Sequence, residues 1–121
     1  MRPGPIPTIE PAEAATRLAG PDAPLLVDVR ERDEFEAARI ADAVLVPMSE
    51  LQARAGELPD RALLVYCHSG GRSMAATNYL RALGRDATNV SGGIVAWARS
   101  GLPILSDPPA EGEGELPDAS R

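Results

Sequence analysis

The chain has 121 residues, of which 44% are hydrophobic, a formal net charge of −6 and a single cysteine. This length indicates one domain, the negative charge argues against a general affinity for nucleic acid, and no apolar run is long enough to span a membrane. The single cysteine excludes an internal disulfide and a zinc site built from several thiolates. It also fits a reducing compartment, so we expect a cytoplasmic protein.

Short apolar runs alternate with helical patterns along most of the chain. Pro5 and Pro7 restrict the first strand to a sheet edge, whereas the continuous apolar run that begins at Leu25 is typical of a buried parallel strand. Ser49 has the spacing of a capping box at a helix start, and Gly84 is placed to end a helix. We predict strands over 6–9, 25–29, 43–46, 63–66 and 87–90, and helices over 11–20, 31–39, 49–56, 73–83 and 94–99. This alternation predicts an α/β fold, with a mainly parallel central sheet flanked by helices on both faces.

The composition changes after residue 105. From Ser106 onward the sequence is acidic and rich in proline and glycine, with very few apolar residues. A segment of this composition cannot bury enough surface to order itself. We therefore expect a single domain over residues 1–105, followed by a disordered acidic tail over 106–121 whose removal leaves the melting temperature nearly unchanged.

The cysteine, Cys67, lies at the junction between a predicted strand and a loop. The loop contains Gly70 and Gly71, and a helical pattern begins at Ser73. Backbone N–H groups of such a loop can converge on one point, where the helix N-terminus also favours negative charge. Cys67 should therefore lose its proton more readily than a free cysteine, whose pKa is about 8.5. Lone cysteines are often inert core residues, but the polar residues and glycines that follow favour a nucleophile here.

The residues after Cys67 are candidates for binding an anionic substrate. The two glycines would let N–H groups point inward, although they would also suit a simple tight turn. Arg72 would either add positive charge near the loop or simply be solvated. Ser73 would either bond to the thiolate or cap the helix. The sequence leaves both pairs of alternatives open. We expect His68 to line the pocket entrance rather than to form a catalytic pair with its neighbour. The predicted substrate-binding residues of the loop are His68, Ser69, Gly70, Gly71, Arg72 and Ser73.

Asp28 and Arg30 are two further candidate substrate-binding residues. They end the predicted strand over 25–29. The carboxyl ends of parallel strands share one rim of the sheet, so both residues should lie on the same rim as Cys67. For Asp28 we favour another role, that of a buried carboxylate satisfied by backbone N–H groups of a neighbouring loop.

Four segments of the chain carry a recognisable pattern, namely 28–31 with 34–35, 40–51, 66–73 and 89–97. In this order and at compatible spacing, they resemble the rhodanese family of sulfurtransferases, and the resemblance extends over roughly residues 6–103. The chain departs from the family pattern at Arg39, where a histidine is usual, and at 41–43, where Pro-Gly-Ala is usual. Both departures lie away from the cysteine loop.

The resemblance implies a rhodanese-like domain and a two-step sulfur transfer. The Cys67 thiolate would attack the outer sulfur of thiosulfate, or of a similar sulfane donor, and form a persulfide. A thiophilic acceptor such as cyanide, a thiol or a sulfur-carrier protein would then take the sulfur. This chemistry needs no metal and no organic cofactor.

Other functions remain as alternatives. The nearest is a phosphatase or arsenate reductase of related fold, but loops of that kind resemble Cys-x5-Arg, whereas four residues separate Cys67 from Arg72. A second is a non-catalytic rhodanese-like interaction module; such modules often lack the cysteine that this chain keeps. A thioredoxin-type redox role is disfavoured because there is no second cysteine to resolve a disulfide.

Overall fold

The structure is a computed structural model, and it describes residues 5–117. Within these residues, five strands form one sheet: β1 (Thr8–Ile9), β2 (Leu25–Asp28), β3 (Val44–Leu45), β4 (Leu63–Tyr66) and β5 (Ala87–Val90). The α-helices of the same part of the chain are α1 (Pro11–Leu18), α2 (Arg32–Ala37), α3 (Met48–Arg54), α4 (Gly71–Ala82) and α5 (Gly93–Arg99), and a 3-10 turn over Ala55–Glu57 follows α3. The strands lie in the order β1-β5-β4-β2-β3, and every pairing between them is parallel. The predicted α/β class is confirmed.

Two apolar cores cover the two faces of the sheet. Successive residues of a strand point to opposite faces, so β2 and β4 contribute to both cores. One core combines every second strand residue with residues of α3 and α4, including Leu25, Val27, Leu63, Val65, Leu51, Ala76 and Leu80. The other combines the intervening residues with those of α1 and α5, including Leu26, Leu64, Tyr66, Ala14, Ile94 and Trp97. Helices therefore flank both faces, as predicted.

The second helix is shorter than predicted. It ends at Ala37, and Ala38 already has an extended backbone. The reason is tertiary, because Arg39 forms an antiparallel backbone bridge with Leu105. The pattern over 31–39 correctly places the helix but cannot reveal a partner so distant in sequence.

The starts of α3 and α4 also differ from the prediction. α3 begins at Met48, with Pro47 as its N-cap residue, so the predicted capping box at Ser49 is wrong. The Ser49 hydroxyl donates instead to the Glu31 carboxylate at 3.2 Å. α4 begins at Gly71, which places Ser73 inside the first turn rather than at the cap.

The acidic segment after residue 105 contacts the domain through residues as far as Leu116, which differs from the expectation of a domain boundary at 105 and a disordered tail. Arg39 is 1% exposed, and its guanidinium donates to the Glu113 carboxylate and to the Asp107 carbonyl oxygen. Leu116 packs against the core that contains α3 and α4. Composition did not indicate this packing, because a buried arginine provides the main contact rather than a large apolar area. The remainder of the predicted tail, 118–121, lies outside the described residues.

The fold brings the predicted site residues to one rim of the sheet. β2 and β4 are neighbours, with Asp28 in register with Tyr66, so the segments that follow Asp28 and Tyr66 emerge side by side. Of the helices that the structure describes, none combines the length and apolar character needed to cross a bilayer.

Candidate active site

Cys67 follows the last residue of β4 and begins the loop into α4. The residue is 1% exposed, and its sulfur accepts a hydrogen bond from the Gly70 N–H at 3.1 Å. Gly70 has a φ of +119°, a conformation that residues with a side chain rarely adopt. This turn directs the N–H group back toward the sulfur and opens α4, a 12-residue helix whose N-terminus carries a partial positive charge.

Opposing effects act on the pKa of the Cys67 thiol. Burial raises the pKa, because desolvation disfavours the charged form. Hydrogen-bond donors lower it, namely the Ser73 side chain and the backbones of Ser73, Gly70 and Arg72. The donors outweigh burial, so the thiol pKa is lowered from its ordinary value. The site therefore favours a thiolate, which is the nucleophilic form of cysteine.

Helix α5 holds the other side of the cysteine loop. The N–H groups of Ile94 and Val95 donate to the carbonyl oxygens of Cys67 and His68, at 2.9 and 3.1 Å. Gly93 allows this approach, because a Cβ at that position would collide with the same two carbonyl oxygens. The loop carbonyl groups are thus bound by α5, which leaves N–H groups of the loop available on the sulfur side.

Arg72 forms a two-point ion pair with Glu34 of α2. The two guanidinium–carboxylate distances are 2.7 and 2.8 Å. Glu34 also accepts the Glu31 N–H at 3.0 Å, which fixes the carboxylate at the start of α2. The Arg72 guanidinium lowers the pKa of Glu34 to about 2, and the carboxylate raises the pKa of Arg72. The positive charge expected beside the loop is present, but a carboxylate compensates it.

Asp28 and Arg30 lie together, as an internal pair. Asp28 is fully buried and Arg30 is 3% exposed. The Arg30 guanidinium donates to both carboxylate oxygens, with its closest contact at 2.7 Å, and the Arg30 N–H donates to the carboxylate at 2.9 Å. The guanidinium also donates to the Ala38 carbonyl oxygen at 2.7 Å. These contacts favour a structural role for both side chains over direct contact with a substrate.

His68 and Ser69 are the exposed part of the loop. His68 lines a mainly apolar groove of about 420 Å³ between α2 and α5. Ser69 lies on the other side of the loop, in a groove that also contains Gly92 and Arg99. The two residues that follow Cys67 therefore line two grooves of different character.

Sequence reasoning missed Glu34 as a site residue and missed the contribution of α5. Glu34 carries a local signal, because it follows Glu31 at the spacing of a capping box, but its pairing with Arg72 spans 38 positions. The signal for α5 is the pair Gly92-Gly93, in which both glycines have positive φ.

The Cys67 sulfur is contacted by an N–H donor, and the hydrogen bonds around it favour a thiolate. The charged side chains nearest the loop are paired with one another, Arg72 with Glu34 and Arg30 with Asp28. Over residues 5–117, no group of three or more His, Cys, Asp or Glu side chains is placed to hold a metal ion. Such a site can stabilise a negative charge on Cys67 or on an atom bonded to its sulfur.

Comparisons with known proteins match this architecture. A family model described as a rhodanese-like domain matches residues 10–100. A protein named "Sulfurtransferase" from Allochromatium vinosum is 42% identical over 100 residues, which cover 81% of this chain and 94% of that protein. A Mycobacterium tuberculosis protein named "Probable adenylyltransferase/sulfurtransferase MoeZ" is 37% identical over 102 residues, which cover 81% of this chain but 26% of that protein. The match thus spans nearly all of the first relative and about a quarter of the second.

Among solved structures, the chain is similar to the crystal structure of a rhodanese-related protein from Thermoplasma volcanium. The TM-score is 0.78 and the sequence identity 32%, and the alignment covers 84% of this chain and 99% of the other. The similarity therefore extends over most of this chain and nearly all of the other.

Proposed function

The chain belongs to the rhodanese-like domain family, and we propose that it is a sulfurtransferase. In this proposal a sulfane sulfur passes from thiosulfate or a similar donor to a thiophilic acceptor through a persulfide on Cys67. The name of the Allochromatium relative supports a sulfurtransferase-type role. Thiosulfate as donor, the persulfide and the acceptor are the finer parts of the proposal, and they depend on the site geometry.

The observation that carries the proposal is the contact of the Cys67 sulfur with the Gly70 N–H at 3.1 Å, at the N-terminus of α4. A thiolate and a terminal persulfide both carry a negative charge at this end of the loop. N–H groups and a helix N-terminus that are already oriented stabilise such a charge without reorganisation. The same donors that lower the thiol pKa would therefore also favour the intermediate.

In the first step the Cys67 thiolate attacks the outer sulfur of the donor. The sulfur–sulfur bond of the donor breaks, and its electron pair leaves with the remainder of the donor, which is sulfite when the donor is thiosulfate. Because Cys67 is 1% exposed, only a narrow group such as a terminal sulfur reaches the nucleophile.

In the second step the acceptor removes the outer sulfur. The lone pair of cyanide or of a thiolate attacks the terminal persulfide sulfur, the bond to Cys67 breaks, and the Cys67 thiolate is regenerated. With cyanide the product is thiocyanate. A small thiol or the terminal thiol group of a carrier protein would serve equally well as acceptor.

Intact mass spectrometry tests this proposal directly. We expect incubation with thiosulfate or a small persulfide to add one sulfur atom, and subsequent cyanide to remove it. Cys67→Ser should acquire no sulfur and should lose turnover while retaining the wild-type melting temperature.

Turnover in Cys67→Ser would refute the mechanism. Absence of the adduct with every sulfur donor would favour the phosphatase, arsenate reductase or interaction-module alternatives, which assays with phosphate esters and arsenate would separate.

The proposal includes a reducing compartment, the cytoplasm. A single cysteine with a lowered thiol pKa is prone to oxidation, and reversal of that oxidation requires reducing conditions. Fractionation that recovers the native protein outside the cytoplasm would contradict this part.

A further inference from the structure

The two arginines beside the cysteine loop are neutralised within the protein. Arg72 is held at two points by Glu34, and Arg30 is held by Asp28. Arg99, which lines the groove on the Ser69 side, is exposed at the end of α5, where solvent and salt screen its charge. Within residues 5–117, the anion site at Cys67 therefore depends on N–H groups and the α4 N-terminus rather than on a free cation beside the loop.

Such a site is suited to a single negative charge. The dipole of a helix is equivalent to roughly half an elementary charge at its N-terminus. The single negative charge of a thiolate or a persulfide can be stabilised by a partial positive charge of this size. Thiosulfate, in contrast, brings two further negative charges beside the thiolate. A paired guanidinium compensates little of that excess, because its field is largely cancelled by its own carboxylate.

We propose that Glu34 is a positioning residue that sets donor specificity: by holding Arg72, it makes the site prefer small persulfides over thiosulfate. This inference rests on the proposed function and names the donor class for the same site. In this role Glu34 acts through Arg72, because its carboxylate decides whether the guanidinium is free to approach a doubly charged donor.

The two donor reactions differ in charge but balance in the same way. With a persulfide in its protonated form RSSH, the Cys67 thiolate attacks the outer sulfur, the donor S–S bond breaks, RS⁻ leaves with the electron pair and the proton stays on the transferred sulfur, so one negative charge exists before and after. With the ionised form RSS⁻, two negative charges are present throughout the step. With thiosulfate, sulfite leaves as a dianion, so three negative charges are present throughout the step. The second reaction therefore gains more from an additional cation close to the loop.

The test compares the rates at which Cys67 is loaded by two donors, thiosulfate and 2-hydroxyethyl persulfide, in wild type and Glu34→Gln. Glutamine keeps an oxygen that can accept the Glu31 N–H but removes the charge that holds Arg72. We expect the ratio of the thiosulfate rate constant to the persulfide rate constant to rise about tenfold at low salt, since one additional charge contact contributes on the order of a factor of ten. Glu50→Gln, which breaks an exposed ion pair with Arg54 on α3, is the matched control and should leave the ratio unchanged.

The salt dependence of the loading rate gives a second measurement, which a purely structural role of Glu34 would leave unchanged. In Glu34→Gln, added salt should slow loading by thiosulfate more steeply than in wild type, because the freed guanidinium is screened. Equal losses with both donors, or an unchanged ratio in a variant that melts like wild type, would overturn the specificity role and leave the proposed function intact. Failure of both donors to load wild-type Cys67 would overturn the proposed function together with this inference.

Discussion

Ser73 illustrates how one buried hydroxyl can tune a nucleophile. It is fully buried in the first turn of α4, where its hydroxyl donates to the Gly70 carbonyl oxygen at 3.2 Å. The Ser73 side chain is also the largest of the contributions that lower the pKa of the Cys67 thiol against the effect of burial. Ser73 thus both fixes the loop backbone and contributes to the lowered pKa of the Cys67 thiol.

Ser73→Ala should raise the pKa of the Cys67 thiol, because burial then acts against fewer donors. A higher thiol pKa moves the thiolate form to higher pH, so the pH profile of persulfide formation should shift toward alkaline pH. At pH 7 we expect a rate about tenfold lower, on the scale of one hydrogen bond to a charged group. The measurement is the rate of sulfur loading by mass spectrometry between pH 5 and 10.

Thr16→Ala provides the control for this change, because it removes a hydroxyl that only bonds within α1. Its pH profile should match that of wild type. A profile for Ser73→Ala with an unchanged midpoint would show that the backbone N–H groups alone set the thiol pKa.

At the scale of elements, the cysteine loop is fixed from two directions. At the start of α4, the Gly70 N–H donates to the Cys67 sulfur. On the other side, the carbonyl oxygens of Cys67 and His68 accept hydrogen bonds from N–H groups at the N-terminus of α5. Each helix thereby satisfies donors that the helix itself leaves free. The geometry of the loop thus depends on α5, although α5 contributes no side chain to the chemistry.

Gly93→Ala should disturb this arrangement through the backbone of the cysteine loop. A Cβ at this position would collide with the carbonyl oxygens of Cys67 and His68, and φ at Gly93 is +62°. We expect a loss of about 1–3 kcal/mol in the free energy of unfolding and at least a tenfold slower sulfur loading, measured by chemical denaturation and by mass spectrometry. Gly56→Ala, at a position where a Cβ meets nothing within 4 Å, should change neither. Wild-type loading by Gly93→Ala would show that the loop keeps its geometry without α5.

The helices and strands were largely predictable from local patterns. An apolar run such as the one that ends at Asp28, and a helix end such as the one at Gly84, are determined by residues close in sequence. The errors arose where a side chain has a distant partner. Ser49 fits a capping pattern but donates to Glu31, and Glu34 reads as a helix-start residue although it holds Arg72. Cys67 and its loop were placed correctly because strand, glycine turn and helix follow one another without interruption.

For the whole molecule, the segment after residue 105 closes an edge of the sheet. β3 is the outermost strand on one side, and the Leu45 N–H donates to the Gly114 carbonyl oxygen at 2.7 Å. An unpaired strand edge invites association with other chains, and covering it is one way in which proteins avoid this. A Cβ on Gly114 would lie 2.8 Å from the ring of Phe35, so this position requires a glycine.

Arg39 explains why an acidic segment, rather than an apolar one, covers this edge. The guanidinium is buried, lies 5.7 Å from the centroid of the Phe35 ring, and is paired with Glu113 and Asp107. A buried charge without partners is strongly unfavourable. Arg39, one of the two departures from the rhodanese pattern, is therefore the residue that the C-terminal segment neutralises.

Deletion of residues 106–121 should lower the melting temperature by about 5–10 °C, in contrast to the expectation from composition. The deletion exposes the β3 edge and removes the carboxylates that pair with Arg39, and for a domain of this size a loss of 1 kcal/mol lowers the melting temperature by roughly 4–8 °C. Glu113→Gln should reproduce part of the decrease, whereas Glu111→Gln, at an exposed position of the same segment, should not.

Calorimetry measures the melting temperatures. The deletion variant should also associate more readily in size-exclusion chromatography, because its strand edge is open. A melting temperature unchanged by the deletion would mean that Arg39 is solvated equally well without its acidic partners.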